Sequence, residues 1–154
     1  MISFSRLQIK AFLAVQRMRR AMTLGVRAAV LDGEGKVLLV RHSYTPGWYL
    51  PGGGVEKGET TEVALERELM EEGGVALAGP AELFGLYLNR TISSRDHVAL
   101  FVCRRWQQEK PPQVPNLEIL EWGFFAPEAL PAGATDATRR RLAEIAGGPK
   151  SPHW

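Results

Sequence analysis

At 154 residues, with 45% hydrophobic and 23% charged residues, the chain has the composition of one globular domain with its own core. A single cysteine, Cys103, excludes an internal disulfide and a cysteine-built zinc site, and it fits a reducing, cytoplasmic location. No apolar run approaches the roughly 20 residues that a membrane-spanning helix needs, so we expect no membrane partner.

The first 31 residues are basic and the remainder is mildly acidic, although the net charge is only +2. Residues 5–22 predict an amphipathic helix with basic residues between its apolar positions. The arginines follow the apolar run instead of preceding it, so a secretory signal peptide fits poorly. Three interpretations stay open: a helix packed on the domain or on a partner subunit, a basic arm for nucleic acid, and a membrane-surface helix.

We favour packing of this helix, which would allow a homodimer, because no aromatic-interleaved basic patch extends it toward a nucleic acid. The predicted organisation is an N-terminal basic helix at 1–23, a main domain at 24–147 and a frayed tail at 148–154.

Apolar runs bounded by turn residues predict five strands, at 24–31, 36–41, 82–89, 97–104 and 118–126. The turn sequence at 32–35 predicts a hairpin between the first two.

Two helices are predicted in the main domain. The first covers 60–72, with Thr60 or Thr61 as its cap and Gly73-Gly74 at its end, and the second covers 135–146. The order of these elements predicts an α+β fold, a mixed β-sheet with helices packed on it.

The helix at 60–72 carries three carboxylates, Glu68, Glu71 and Glu72, at positions i, i+3 and i+4. They fall within roughly a 100° arc of one helix face, where they repel each other. A divalent cation such as Mg²⁺ offsets that repulsion, because it prefers oxygen ligands and is usually shared with substrate phosphates. Taken alone, the run is explained equally well as a solvated helix face.

The residues around this helix decide between the two interpretations. Gly53 begins a 23-residue pattern with fixed spacings, which continues with Glu59, Arg67-Glu68, Leu69, Glu71-Glu72, Gly74 and Val75. The pattern resembles the Nudix hydrolase signature at every fixed position, and GWYLPGG before it resembles the lead-in of that family. The resemblance implies an α-β-α sandwich with a mixed sheet.

The same resemblance implies hydrolysis of a diphosphate bond in a nucleoside diphosphate linked to a moiety X, as in a nucleotide or nucleotide-sugar pyrophosphohydrolase. It implies Mg²⁺ as cofactor, with Mn²⁺ as an alternative. Matched position by position, Glu68 and Glu72 would be catalytic and the principal metal ligands, and Glu71 and the Gly52 carbonyl would be further ligands. The general base varies in the family, and Glu68 is the candidate within the signature.

Four residues of the signature have structural roles in the family, and the resemblance gives the same roles to Gly53, Glu59, Arg67 and Gly74. An ion pair between Glu59 and Arg67 would hold the loop against the helix.

A carboxylate from outside the signature often completes such sites, and Glu118 and Glu121 are the candidates. Strand alternation puts them on opposite faces, so at most one points inward. We choose Glu118, which lies nearer the end of the loop, although an ordinary surface glutamate would explain it equally well.

The moiety X must be recognised by residues outside the signature. We nominate Arg41 and Tyr44 before it and Arg90 and Arg95 in a later loop, because arginine can bind phosphate with two hydrogen bonds and an aromatic ring can stack on a base. Sequence markers of the ADP-ribose, dinucleoside polyphosphate and NADH subfamilies are missing, so X stays open. A non-catalytic Nudix-fold sensor of a nucleotide metabolite is the alternative function, but such domains commonly lose the glutamates that this chain retains.

Overall fold

The computed structural model describes residues 21–154 together with Lys10, Val15, Gln16 and Met18. Most of the predicted N-terminal helix at 5–22 lies outside the described residues, and its role in a homodimer stays a prediction. Among the described residues, no helix combines the length and the apolar character that crossing a membrane would demand.

Residues 21–154 form seven β-strands, two α-helices and one 3₁₀ turn. The bounds, in chain order, are β1 Thr23–Val30, β2 Val37–His42, α1 Thr61–Gly73, β3 Val75–Leu77, β4 Glu82–Leu88, β5 Asp96–Cys103, β6 Trp106–Gln108, β7 Ile119–Phe125, the 3₁₀ turn Pro127–Ala129 and α2 Asp136–Ile145.

The strands form one mixed sheet and two antiparallel pairs. In the mixed sheet β5 lies in the centre, parallel to β1 and antiparallel to β4. The strands β2 and β7 form one antiparallel pair, and the three-residue strands β3 and β6 form the other.

Both faces of the mixed sheet are buried, each under one helix. Ala28 packs in a cluster with Leu65 and Leu69 of α1, whereas its neighbour Ala29 packs in a second cluster with Leu142 of α2. Successive side chains of a strand point to opposite faces, so β1 contributes to both clusters. The predicted α+β class and the α-β-α sandwich are therefore confirmed.

The predicted hairpin between the first two strands is wrong. β1 and β2 form one bridge at the turn, between Leu31 and Val37, and then separate to pair with β5 and β7. The other edge of β1 pairs with residues 51–54, which we call the glycine-rich loop. The amides of Val26 and Ala28 donate hydrogen bonds to the carbonyls of Gly53 and Pro51. The loop occupies the edge that a hairpin partner would need.

The tail at 148–154 is held by hydrogen bonds, in contrast to the predicted frayed end. The Leu88 amide donates to the Pro152 carbonyl, and the Trp154 amide donates to the Leu88 carbonyl. The Trp154 ring also packs edge-on against Tyr87, with the ring centroids 5.7 Å apart. The Trp154 ring and these two hydrogen bonds therefore anchor the segment.

Candidate active site

Helix α1 is fixed at both ends by the residues expected to cap it. The Thr60 hydroxyl accepts a hydrogen bond from the Val63 amide, and Gly74 ends the helix in the left-handed conformation at φ 60°. A side chain at Gly74 would collide with the backbone of Lys110, so the position requires glycine for space as well as for conformation. This placement buries Glu68 and Glu72 on the inner face of α1 and leaves Glu71 exposed.

The Glu72 carboxyl group is almost completely buried, with 1% of the residue exposed. Its Oε2 accepts a 2.7 Å hydrogen bond from the Gly52 amide. Burial raises the pKa of Glu72 to about 8, while the nearby Arg27 guanidinium and the Gly52 hydrogen bond act in the opposite direction. A cation bound at this carboxylate would favour the charged form and lower that pKa.

His42, at the end of β2, lies beside Glu72 and was not among the predicted site residues. Its Nε2 is 3.5 Å from Glu72 Oε1, and only 3% of the residue is exposed. Burial lowers the pKa of His42 to about 4, and Arg27 adds to the shift. The imidazole of His42 is therefore neutral at neutral pH, so this contact is not an ion pair.

Glu118 approaches the same two residues from the loop before β7. One ligand atom each from His42, Glu72 and Glu118 lie within 4.8 Å of one another. Glu121, the other candidate, instead forms an ion pair across the β2–β7 ladder with Arg41, at 2.7 Å. A register shift in the β2–β7 pair lies between Arg41, which pairs with Glu121, and His42, which lies beside Glu72 and Glu118.

The Glu68 carboxylate lies directly against the glycine-rich loop. A Cβ at Gly53 would be 2.6 Å from the carboxyl carbon of Glu68, and Arg67 Nη1 donates a 2.6 Å hydrogen bond to Glu68 Oε1. Gly52 has a φ of 138°, and a Cβ there would lie 2.9 Å from the Arg27 Cα. The loop can pass this close to the carboxylates only because it has no side chains here.

The ion pair between Glu59 and Arg67 is present and holds the loop to α1. Arg67 donates two hydrogen bonds to Glu59, at 2.9 and 3.0 Å, and one to the Gly54 carbonyl at 3.1 Å. The Arg67 hydrogen bonds lower the pKa of Glu59 to about 2, helped by the Glu56 amide. Arg67 also lies 3.5 Å from the exposed Glu71 carboxylate.

A cavity of about 870 Å³ is lined by the glycine-rich loop, and Glu68, Glu72 and Glu118 are not among its lining residues. Gly53, Gly54, Arg27 and Tyr44 line it near the carboxylates, and the start of α2 at 135–140 lines its far side.

Of the four predicted substrate-binding residues, Tyr44 lines this cavity and three do not. Arg41 is paired with Glu121, Arg95 Nη1 donates to the Met18 carbonyl at 3.3 Å, and Arg90 is exposed outside the lining. Arg27 was missed, because its position in β1 gave it the pattern of an apolar strand. It lines the cavity and donates a 3.0 Å hydrogen bond to the Leu50 carbonyl.

The donors gathered here fit a divalent cation. Glu72 and Glu118 each offer a carboxylate oxygen, and His42 offers a ring nitrogen without a hydrogen-bond partner among the described residues. The Glu68 carboxylate lies one helical turn before Glu72, against Gly53. The fold and site define a class of protein, an α-β-α sandwich with a carboxylate cluster carried on a helix beside a glycine-rich loop.

The comparison with known proteins agrees with this class. The family model described as the NUDIX domain matches residues 21–145. A MutT-like protein from Streptomyces ambofaciens is 37% identical over 83 residues, which cover 53% of this chain and 51% of that protein. An ADP-ribose pyrophosphatase from Methanocaldococcus jannaschii is 37% identical over 76 residues, which cover 47% of this chain and 44% of that protein.

Among solved structures, the crystal structure of a MutT NUDIX hydrolase from Burkholderia pseudomallei matches with a TM-score of 0.69 and 28% identity, over 81% of this chain and 98% of that one. The matches to the two curated relatives span about half the length of each. Since the family model covers most of the sequence, the chain belongs to the Nudix family.

Proposed function

We propose that the chain is a Mg²⁺-dependent pyrophosphohydrolase that cleaves a diphosphate bond in a nucleoside diphosphate linked to a moiety X, with Mn²⁺ as an alternative cofactor. The observation that carries the proposal is the cluster of Glu72, Glu118 and His42, with Glu68 one helical turn before Glu72 and against Gly53, which itself lines a cavity of about 870 Å³. That volume lies within the range of small-molecule sites, roughly 300–1,000 Å³.

Glu68, Glu71, Glu72 and Glu118, with the Gly52 carbonyl, would hold the cation. When bound, such a cation would supply charge neutralisation at the phosphates and a water of lowered pKa for attack on phosphorus. Two of the glutamates are oriented by neighbours: the Gly52 amide fixes Glu72, and Arg67 fixes Glu68. Glu68 is the candidate general base.

The cavity supports a nucleotide-type substrate. Tyr44 and Tyr49 give it aromatic walls on which a base can stack, and Arg27 places a positive charge near the carboxylates. Of the two curated relatives, one is named for ADP-ribose and the other for no substrate, so the moiety X is left to a screen. We also propose a cytoplasmic location, in line with the single, buried cysteine.

A substrate screen with a matched pair of variants tests this function. Nucleoside triphosphates, oxidised nucleoside triphosphates, ADP-ribose, nucleotide sugars, dinucleoside polyphosphates and 5′-triphosphate RNA would be incubated with and without Mg²⁺ or Mn²⁺. We expect cation-dependent release of a mononucleotide, phosphate or pyrophosphate from at least one of them. Glu72→Gln should lower kcat by about 100-fold or more, because the amide cannot supply a charged ligand.

Glu121→Gln is the control, since it removes a carboxylate from the same region that is already paired with Arg41. It should leave kcat within about twofold of the wild-type value. A wild-type protein inert on the whole panel would contradict the proposal, and tight nucleotide binding without turnover would favour the non-catalytic sensor instead.

A further inference from the structure

His42 is a buried polar side chain without a hydrogen-bond partner among the described residues. Both ring nitrogens are fully enclosed, and neither makes a hydrogen bond. Buried polar groups are normally paired, because an unpaired one loses its hydration without compensation. An imidazole kept in this position therefore needs an explanation beyond packing.

The ring is held in one orientation by its neighbours. The ring centroid of Tyr44 lies 4.9 Å from that of His42, and the ring centroid of Tyr49 lies 5.7 Å away. These contacts restrict how far the imidazole can turn toward solvent. One ring nitrogen lies within 4.8 Å of one oxygen each of Glu72 and Glu118, and Nε2 is 3.5 Å from Glu72 Oε1.

We propose that His42 is itself a ligand of the cation bound by Glu72 and Glu118, so that the centre has a mixed nitrogen and oxygen donor set. An imidazole nitrogen suits first-row metals such as Fe²⁺, Ni²⁺ and Zn²⁺ best, and Mn²⁺ stands at the weak end of that series, whereas Mg²⁺ prefers oxygen ligands. The centre would therefore select Mn²⁺ over Mg²⁺ more strongly than carboxylates alone. This inference rests on the cation site of the proposed function but not on its substrate.

Pulsed EPR of bound Mn²⁺ tests the proposal directly, because a coordinated nitrogen modulates the electron spin echo. The tag-free chain of 154 residues would be loaded with one equivalent of Mn²⁺ in a buffer without imidazole or amines. We expect the modulation of a directly bound nitrogen in the wild type and its loss in His42→Leu. His97→Leu is the matched control, since His97 also has a buried ring nitrogen without a hydrogen-bond partner but lies outside the carboxylate cluster.

Calorimetric titrations with Mn²⁺ and Mg²⁺ give a second readout. His42→Leu should raise the Kd for Mn²⁺ about tenfold or more, with less than about a threefold change for Mg²⁺. If His42 only orients Glu72 through the 3.5 Å contact, both Kd values should rise together and the wild type should show no nitrogen modulation. That result would overturn the proposal, as would a wild type that binds no Mn²⁺.

The outcomes are separate from those of the substrate screen. Nitrogen modulation in a protein that hydrolyses nothing would support the ligand assignment and contradict the proposed function. Turnover with bound Mn²⁺ but without nitrogen modulation would support the proposed function and contradict the assignment of His42 as a ligand. Should His42→Leu fail to fold, the measurement on the wild type still decides the question, and His42→Asn provides a smaller, polar replacement.

Discussion

The Cβ that any other residue would carry at position 53 falls 2.6 Å from the carboxyl carbon of Glu68. Gly53 therefore lets this carboxylate lie against the loop. The preceding residue serves the other buried carboxylate, because the Gly52 amide donates to Glu72. Each of the two consecutive glycines thus positions one glutamate of α1. Gly53 leaves space for Glu68, and Gly52 donates a hydrogen bond to Glu72.

We predict that Gly53→Ala impairs the site more than the fold. The new methyl group meets the end of a side chain, which can move away, so the free energy of unfolding should fall by about 1 kcal/mol. The displaced Glu68 should lower kcat or weaken Mg²⁺ binding by about tenfold or more, measured by steady-state kinetics and calorimetry.

Gly54→Ala is the control for this variant, because nothing lies within 4 Å of a Cβ at that position. It should match the wild type in unfolding and in Mg²⁺ affinity. Equal Mg²⁺ affinity and equal unfolding of the two alanine variants would contradict the role assigned to Gly53.

We predict that Gly52→Ala damages the fold itself. The position has a φ of 138°, and its Cβ would collide with the Val26 carbonyl and lie 2.9 Å from the Arg27 Cα. Backbone cannot move aside as a side chain does, so the free energy of unfolding should fall by about 3 kcal/mol or more. Urea denaturation measures it, and a midpoint equal to that of Gly54→Ala would show the prediction to be wrong.

We predict that Mg²⁺ stabilises the wild type and that Glu72→Gln largely removes this effect. Binding at 100 times the Kd adds about 2.7 kcal/mol, which for a domain of this size raises Tm by roughly 5–10 °C. Gln can still accept the Gly52 hydrogen bond, so the variant should fold, but it lacks the charge that binds the cation. Thermal melts with Mg²⁺ and with EDTA measure both shifts, and an equal shift in the two proteins would exclude Glu72 as a ligand.

The local parts of the site could be predicted from the sequence, because they depend on spacing along one helix. The face shared by Glu68 and Glu72, the Thr60 cap and the Gly74 end all follow from positions within 15 residues. The three-residue strands β3 and β6 were missed, since so short a run carries no periodic signal.

The contribution of His42 could not be predicted from a single sequence. It lies in β2, where nearly every side chain is buried, so alternation does not distinguish it from its apolar neighbours. Its neighbours Glu72 and Glu118 come from α1 and from the loop before β7, and only the folded chain brings them together. The hairpin prediction failed for a related reason. The turn at 32–35 predicts a reversal of the chain, but it does not predict that β1 pairs with β5 and β2 with β7.

We predict that the ion pair between Glu59 and Arg67 makes the free energy of unfolding depend on pH in the acidic range. The pKa of Glu59 is lowered to about 2 in the folded protein, from an ordinary value of 4.5. The folded state therefore prefers the charged form, and the stability this gives is complete above about pH 4.5 and is lost as the pH falls through 2.

Comparison of the wild type with Glu59→Gln isolates this effect from the general acid unfolding of the protein. The difference in Tm between them should be constant above about pH 5 and should shrink steadily toward pH 2. A difference that does not change with pH would mean that the charge of Glu59 contributes nothing. Glu66→Gln, on the exposed face of α1, is the control and should track the wild type at every pH.

A buried ion pair within α2, between Arg141 and Glu144, binds the C-terminal tail through hydrogen bonds. Arg141, with none of its surface exposed, donates to Glu144 at 2.7 Å and to the His153 carbonyl at 2.7 Å, and its guanidinium lies 4.1 Å from the centre of the Tyr87 ring. Glu144 in turn accepts hydrogen bonds from the Tyr87 hydroxyl and the Ser151 amide. One pair of charges thus connects β4, α2 and the tail.

We predict that Arg141→Met lowers the free energy of unfolding by about 3–5 kcal/mol, because it leaves the Glu144 carboxylate buried without its cation. The double variant Arg141→Met with Glu144→Gln should recover part of that loss, since no unpaired charge remains. Urea denaturation of both proteins measures the difference. Arg140→Met is the control, because Arg140 is exposed and its one hydrogen bond, to the Trp154 carbonyl, should cost less than about 1 kcal/mol. If Arg141→Met and Arg140→Met unfold at the same urea concentration, the buried pair does not hold the tail.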